Sequence, residues 1–311
     1  MTTAAVAASH ARHATRAAIA SVTLALLLLV AKAWAAWQTD SSAMLASLAD
    51  TALDVIASLT TLAGIRIAAI PADHDHRFGH GKAEALVALA QVALITLSAV
   101  AIGWHAADRL MTGDQTEALE MGIGVSLFAI AATLLLLWYQ GGVIARTGSV
   151  AIKTDNVHYK SDLMLNAAVI AALVLDQVVE IRGADAVFGI AIALWLLLSA
   201  YRSSAEAVNQ LMDKEWPEHE LREFLAAACQ HPELKGLHDL RTRKSGTLRF
   251  VQFHVWVPAH WTVREAHDRL DPIEEQLQQR FPGTEILMHV DPEGQVDRET
   301  LLPSKLTEST R

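Results

Sequence analysis

The sequence predicts a membrane all-α bundle of six helices followed by a cytoplasmic α+β ferredoxin-like domain of αββαβ order. Three observations carry that prediction. Hydrophobic residues make up 52% of the 311, with a mean hydropathy of +0.27, which is too apolar for an ordinary soluble domain. The apolar residues fill long blocks between residue 17 and about 211, after which the composition turns polar. The polar part alternates helix and strand signals over about 80 residues, a usual size for an independent unit. The boundaries expected on this basis are a cytoplasmic N-terminal tail over 1–16, a transmembrane domain over 17–212, a metal-binding domain over 213–293 and a disordered tail over 294–311.

Residues 1–16 are small and polar, and read as a disordered tail. The run from Ile19 to Trp37 is long enough to be a first transmembrane helix, with Trp34 and Trp37 as interfacial residues. Lys32 lies close to these tryptophans and is expected to snorkel toward the headgroups. Five more spans are expected at 44–70, 82–110, 117–145, 152–178 and 184–211. Small residues in the fifth (Ala167, Ala168, Ala171, Ala172) suit close helix packing. The turns near 38–43 and 112–117 carry no Lys or Arg, and the 176–184 turn carries only Arg182. Arg66, Arg77, Lys82, Arg146, Lys153, Arg202 and Lys214 collect on the opposite side, which places both termini in the cytoplasm.

In the polar part, Leu221, Phe224, Leu225 and Ala228 mark one face of a helix over 218–230. Strands are expected at 237–243 and 248–257, joined by a turn centred on Ser245-Gly246, with a helix over 262–280 and a third strand over 284–291. Pro272 should kink or restart the second of these helices.

The residues able to hold a metal fall into three groups. The stretch SLADTALD places Asp50 and Asp54 one helical turn apart, and VHYKSD does the same for His158 and Asp162. Ionisable groups at membrane depth each cost at least ~2.5 kcal/mol, so two such pairs point into the bundle. Three carboxylates and one imidazole form a tetrahedral N/O set for a divalent transition metal. The loop PADHDHRFGHGKAE offers Asp73, His76 and His80 as a second site, with His74 as a spare imidazole. In the third group, Val251, Phe253, Val255 and Val257 form the core face of a strand, so His254 points away from the core. His289 and Asp291 share a face of the last strand and His238 opens the first. His105, His219, His231 and His260 show no such pattern. A net charge of −9 argues against a nucleic-acid partner, and the single Cys229 excludes an internal disulfide or thiolate cluster.

Taken together, SLADTALD, HYKSD, FGHGKAE and HDLRTRKSG resemble the signatures of the cation diffusion facilitator family, in particular its bacterial zinc/ferrous-iron efflux branch, over about residues 15 to 292. The resemblance implies a homodimeric, proton-coupled antiporter in the bacterial inner membrane. It also implies that His267 joins the cytoplasmic ligands across the dimer, and that Lys82 and Asp213 form charge pairs at the dimer interface. The expected activity is efflux of Zn(II), with Fe(II), Cd(II) and Co(II) as further cargo, in exchange for protons. Zn(II) is expected both as cargo and as a regulatory ion.

Two other classes compete. A passive channel needs sites that release ions easily, against which four converging protein ligands argue. A membrane metalloenzyme needs an open coordination position and a general base, and the sequence offers neither.

Overall fold

A computed structural model describes residues 3–39, 42–112, 123–179 and 184–294. The chain falls into two compact units, one over Ala11–Val208 and the other joining the residues before Ala11 to those from Asn209 onward. The tail beyond 294 and parts of the three turns used for orientation (40–41, 113–122, 180–183) lie outside the described residues.

The first unit is built from α1 (Thr3–Thr39), α2 (Ser42–Ala68), α3 (Ala83–Thr112), α4 (Ile123–Thr147), α5 (Val150–Val179) and α6 (Ala184–Leu211). Among the described residues, five helices are long and apolar enough to cross a membrane. The remaining helix, α5, has 30 residues and so spans about 45 Å, ample for a bilayer, and its C-terminal half is a run of apolar residues. Its N-terminal half carries Lys153, Asp155, His158, Lys160 and Asp162, which lowers its hydropathy. The helix packs on α2, α3 and α4, so most of these polar groups sit among protein and not lipid. Apolar side chains such as Val30, Leu97, Leu135 and Trp138 face outward instead, as lipid-facing positions require.

The N-terminal residues correct the sequence reading. Thr3–Arg16 belong to α1 and do not form a separate tail. The alanine-rich stretch has high helix propensity, and Ala14, Ala17 and Ala18 are fully buried against Leu62, Ile65, Val143 and Ile152. Pro71 follows the end of α2 and cannot continue it. Only Gly148 and Ser149 separate α4 from α5; Gly148 takes φ +64° and Ser149 Oγ accepts from the Ile152 N–H at 3.4 Å.

The second unit runs α7 (Glu218–Ala228), β1 (Lys235–Ser245), β2 (Leu248–Val257), α8 (Val263–Arg280) and β3 (Thr284–Pro292). The sheet order is β1-β2-β3, with β1 and β2 antiparallel and β2 and β3 parallel, the α8 crossover joining the parallel pair. Val251, Phe253, Val255 and Val257 form the inner face, packed with Leu221 and Phe224 of α7 and Leu270, Ile273 and Leu277 of α8. Thr262 and Glu265 close a reciprocal capping box at the start of α8. Pro272 does not restart the helix, since α8 runs through it as one element. It stands on the exposed side, so water can satisfy the Asp268 carbonyl that loses its partner while the buried stripe continues on the other side.

Candidate metal centres

The α2–α5 contact brings the membrane pairs together. His158 Nε2 lies 3.1 Å from Asp54 Oδ1 and 3.8 Å from Asp162 Oδ2. One ligand atom from each of Asp54, His158 and Asp162 lies within 4.8 Å of the others. The helical repeat stacks His158 over Asp162, and helix packing adds Asp54. Asp50, one turn from Asp54, is exposed and stands outside this trio.

The loop after α2 folds around one carboxylate. Asp73 Oδ1 accepts the backbone N–H of His76 at 2.6 Å and of Asp75 at 3.0 Å. The first of these bonds, with help from the second, holds the carboxyl below its usual range. His76 Nδ1 is 3.3 Å from Oδ1 and His80 Nε2 is 3.4 Å from Oδ2, with the two rings 4.4 Å apart. The Nδ1 atom of His80 is buried without a partner, an unspent ligand position. His74 turns toward Asp75 instead and is 92% exposed.

In the second unit, Asp291 is the hub. Its Oδ2 is 2.8 Å from His254 Nδ1 and 3.4 Å from His238 Nε2, and its Oδ1 is 3.4 Å from His289 Nε2. His238, His254 and Asp291 converge within 4.8 Å, whereas His289 stands at the edge, 63% exposed. Local backbone aims His238. The β1–β2 register shifts on both sides of it, and Gly236 at φ +57° lets its carbonyl meet His238 Nδ1 at 2.7 Å. That bond makes Nδ1 the donor and turns Nε2, buried and without a hydrogen-bond partner, toward Asp291. An unpaired imidazole nitrogen beside a carboxylate and a second imidazole could hold a divalent transition metal. His267 is apart from this trio within one chain: it lines a groove of about 380 Å³ with Trp261, Glu274, Met288 and Val290. Asp213 pairs at 3.6 Å with Arg243.

Sequence reasoning missed a buried polar cluster inside the helical unit. Asp155, fully buried, accepts from Ser21 Oγ of α1 at 2.7 Å, Gln140 Nε2 of α4 at 2.8 Å and Gln91 Nε2 of α3 at 3.2 Å. Gln91 also bonds Thr61 of α2, and Asn156 donates to Gln140 Oε1 at 3.0 Å. The available signal was a polar residue set inside each apolar span: Ser21, Thr61, Gln91 and Gln140. Lys32 corrects another expectation: its ammonium does not reach for headgroups but donates to Thr51 Oγ1 on α2 at 2.7 Å.

Comparison with known proteins bears on both units. Residues 18–212 match the family model described as "Cation efflux transmembrane domain", and residues 216–293 match "Cation efflux protein, cytoplasmic domain". The chain is 39% identical over 258 residues to a cation-efflux pump FieF of Klebsiella pneumoniae, covering 83% of this chain and 86% of the relative. It is 40% identical over 261 residues to a cation-efflux pump FieF of Yersinia pestis, covering 84% and 87%. Among solved structures, the metal-bound C-terminal domain of a CzcD transporter from Thermotoga maritima is 26% identical, covers 26% of this chain and 100% of that one, and has a TM-score of 0.25. With both units matched in order and full-length relatives at this identity, the chain belongs to the cation efflux, or cation diffusion facilitator, family of membrane transporters.

Proposed function

We propose that this protein exports divalent transition-metal cations from the cytosol in exchange for external protons, by alternating access. The observation that carries this reading is the convergence of Asp54, His158 and Asp162 inside a helical membrane unit. Asp50, one turn away on α2, joins as the fourth ligand when cargo is held. Metal binding needs ionised carboxylates and a neutral imidazole, so cargo and protons compete for the same atoms. Zn(II) fits this N/O set first, followed by Fe(II), Cd(II) and Co(II), whereas Mg(II) and Ca(II) prefer more oxygens and higher coordination.

The same proposal extends to the rest of the molecule. Residues 17–212 form the transport domain and 213–293 a cytoplasmic domain in which His238, His254, His289 and Asp291 hold regulatory Zn(II). In a homodimer, His267 of one protomer completes this site for its partner, and Lys82 and Asp213 contribute interface charge. The loop site of Asp73, His76 and His80 binds a further ion. The protein resides in a bacterial inner membrane with both termini in the cytoplasm. Transport in proteoliposomes with a panel of metals and an imposed pH gradient tests this. Zn(II) uptake should collapse when the pH gradient is dissipated. Uptake driven by the metal gradient alone, indifferent to pH, would make the protein a passive channel.

A further inference from the structure

None of the candidate metal sites uses the buried cluster around Asp155. Its carboxylate has no exposed surface and accepts from side chains of three other helices, with a fourth joined through Gln91 and Thr61. All three partners donate, so they satisfy an ionised carboxylate, and a ring of N–H and O–H groups is hostile to a metal cation. Its bonded partners include none of the candidate ligands.

The cluster also holds what a protonated carboxyl needs. Gln91 Oε1 is buried and has no hydrogen-bond partner, which costs free energy in the ionised arrangement. When a proton arrives on Asp155 Oδ1, a half-turn of the Gln91 amide brings Oε1 to the place of Nε2. Oε1 then accepts the new O–H, and Thr61 can turn its hydroxyl toward the same oxygen. Ser21 has a second acceptor in the Ala17 carbonyl at 3.2 Å, so its hydroxyl can also swing. One amide and two hydroxyl rotations thus convert a set of donors around an anion into a set suited to an acid, with one end of the Gln91 amide unpaired in either state and no backbone displacement.

On α5 the titratable groups one turn from Asp155 are His158 and the neighbouring Tyr159. The side chains that α1, α3 and α4 turn toward it, Ser21, Gln91 and Gln140, do not titrate, and α2 contributes the uncharged Thr61. We propose that Asp155 is a proton-binding site distinct from the metal ligands, which loads and unloads a proton during exchange and, through its charge, couples that event to His158. This rests on the proton-exchange reading above.

The test uses the full chain. Asp155→Asn is isosteric and mimics the protonated form. In detergent it should still bind Zn(II), since no ligand is removed, with an affinity shifted by no more than about ten-fold through the lost charge beside His158. In proteoliposomes it should move about one proton fewer per Zn(II), and its uptake should depend less steeply on the imposed pH gradient. A wild-type proton count in Asp155→Asn would overturn the proposal, and so would loss of its Zn(II) binding, which would make Asp155 part of the metal site. A second measurement covers a variant that fails to fold or a chain that does not exchange protons. Acid-minus-neutral infrared difference spectra of the wild type should show a carboxylic-acid C=O band that shifts in Gln91→Leu. If no band responds to Gln91, Asp155 is a structural clamp and the proposal fails.

Discussion

The membrane trio and the cytoplasmic trio invert each other's composition. Asp54, His158 and Asp162 supply two carboxylates and one imidazole, whereas His238, His254 and Asp291 supply two imidazoles and one carboxylate. They are also held differently. The membrane ligands ride on helices, and their spacing comes from the helical repeat and one helix–helix contact. The cytoplasmic ligands ride on three strands, and His238 is locked by its own backbone through the Gly236 carbonyl. A site that must release cargo benefits from ligands on elements that can move against each other, while a site that retains an ion benefits from rotamers fixed in advance. On the proposed reading, the contrast suits the first trio to transport and the second to regulation.

The largest effect should come from breaking the membrane trio. Asp54→Ala removes a ligand without touching a buried apolar face, so the protein should stay folded while Zn(II) affinity falls by more than about 100-fold, beyond the usual loss for an outer-shell partner. Uptake in proteoliposomes and elution on gel filtration read the two parts. Wild-type affinity in Asp54→Ala would remove the trio from the transport path. A finer change tests the composition itself. His158→Asp makes the set all-oxygen and should shift preference from Zn(II) toward Mn(II) by about ten-fold, measured by competition uptake. An unchanged ratio would place selectivity elsewhere.

The next effect sharpens the other side of the comparison. A Cβ added at Gly236 would sit 2.2 Å from the Trp256 ring, and the residue's φ of +57° disfavours any side chain. Gly236→Ala should therefore destabilise the second unit by about 2 kcal/mol and free His238 from its fixed tautomer. Zn(II) protection of that unit against thermal unfolding should weaken, while transport-site affinity stays unchanged. Equal Zn(II) protection in wild type and variant would mean that the backbone lock does not matter.

How much of this was legible in the sequence follows from the same contrast. The pairs Asp50/Asp54 and His158/Asp162 declare themselves because a helix repeats regularly, but the sequence does not tell that Asp50 stands apart from the other three. Alternation along β2 and β3 placed His254 and Asp291 on the face away from the core, whereas the irregular β1 register and the exposure of His289 depend on pairing between strands. Asp155 was illegible for a different reason. Its partners are single polar residues from separate helices, and only packing shows that Ser21, Gln91 and Gln140 meet. Lys32 was misjudged because proximity to tryptophans in the chain says nothing about Thr51 on the next helix. The N-terminal stretch looked like a tail because its alanines resemble linker composition until a neighbouring helix covers them.

The smallest effect belongs to the exposed loop, which separates the two trios by kind: there a carboxylate makes the turn and also serves as a candidate ligand. Asp73 accepts two backbone N–H groups, so its carboxyl is depressed below the ordinary 3.8. A carboxylate depressed on folding contributes stability above its unfolded value and loses it as pH falls through its folded value. The turn should therefore hold through mildly acidic pH and weaken only as pH falls below the ordinary carboxyl range, so metal lost from the loop at milder acidity must leave for another reason. Asp73→Asn separates the roles, because an Asn oxygen still accepts both N–H groups but offers no charge to an ion. Hydrogen exchange at Asp75 and His76 should stay slow in Asp73→Asn and become fast in Asp73→Ala. Both variants should lose loop Zn(II), and transport should fall by less than about five-fold, as expected of an exposed electrostatic contact. If Asp73→Asn keeps its loop Zn(II), the carboxylate is a turn-former only, and the two histidines hold the ion without it.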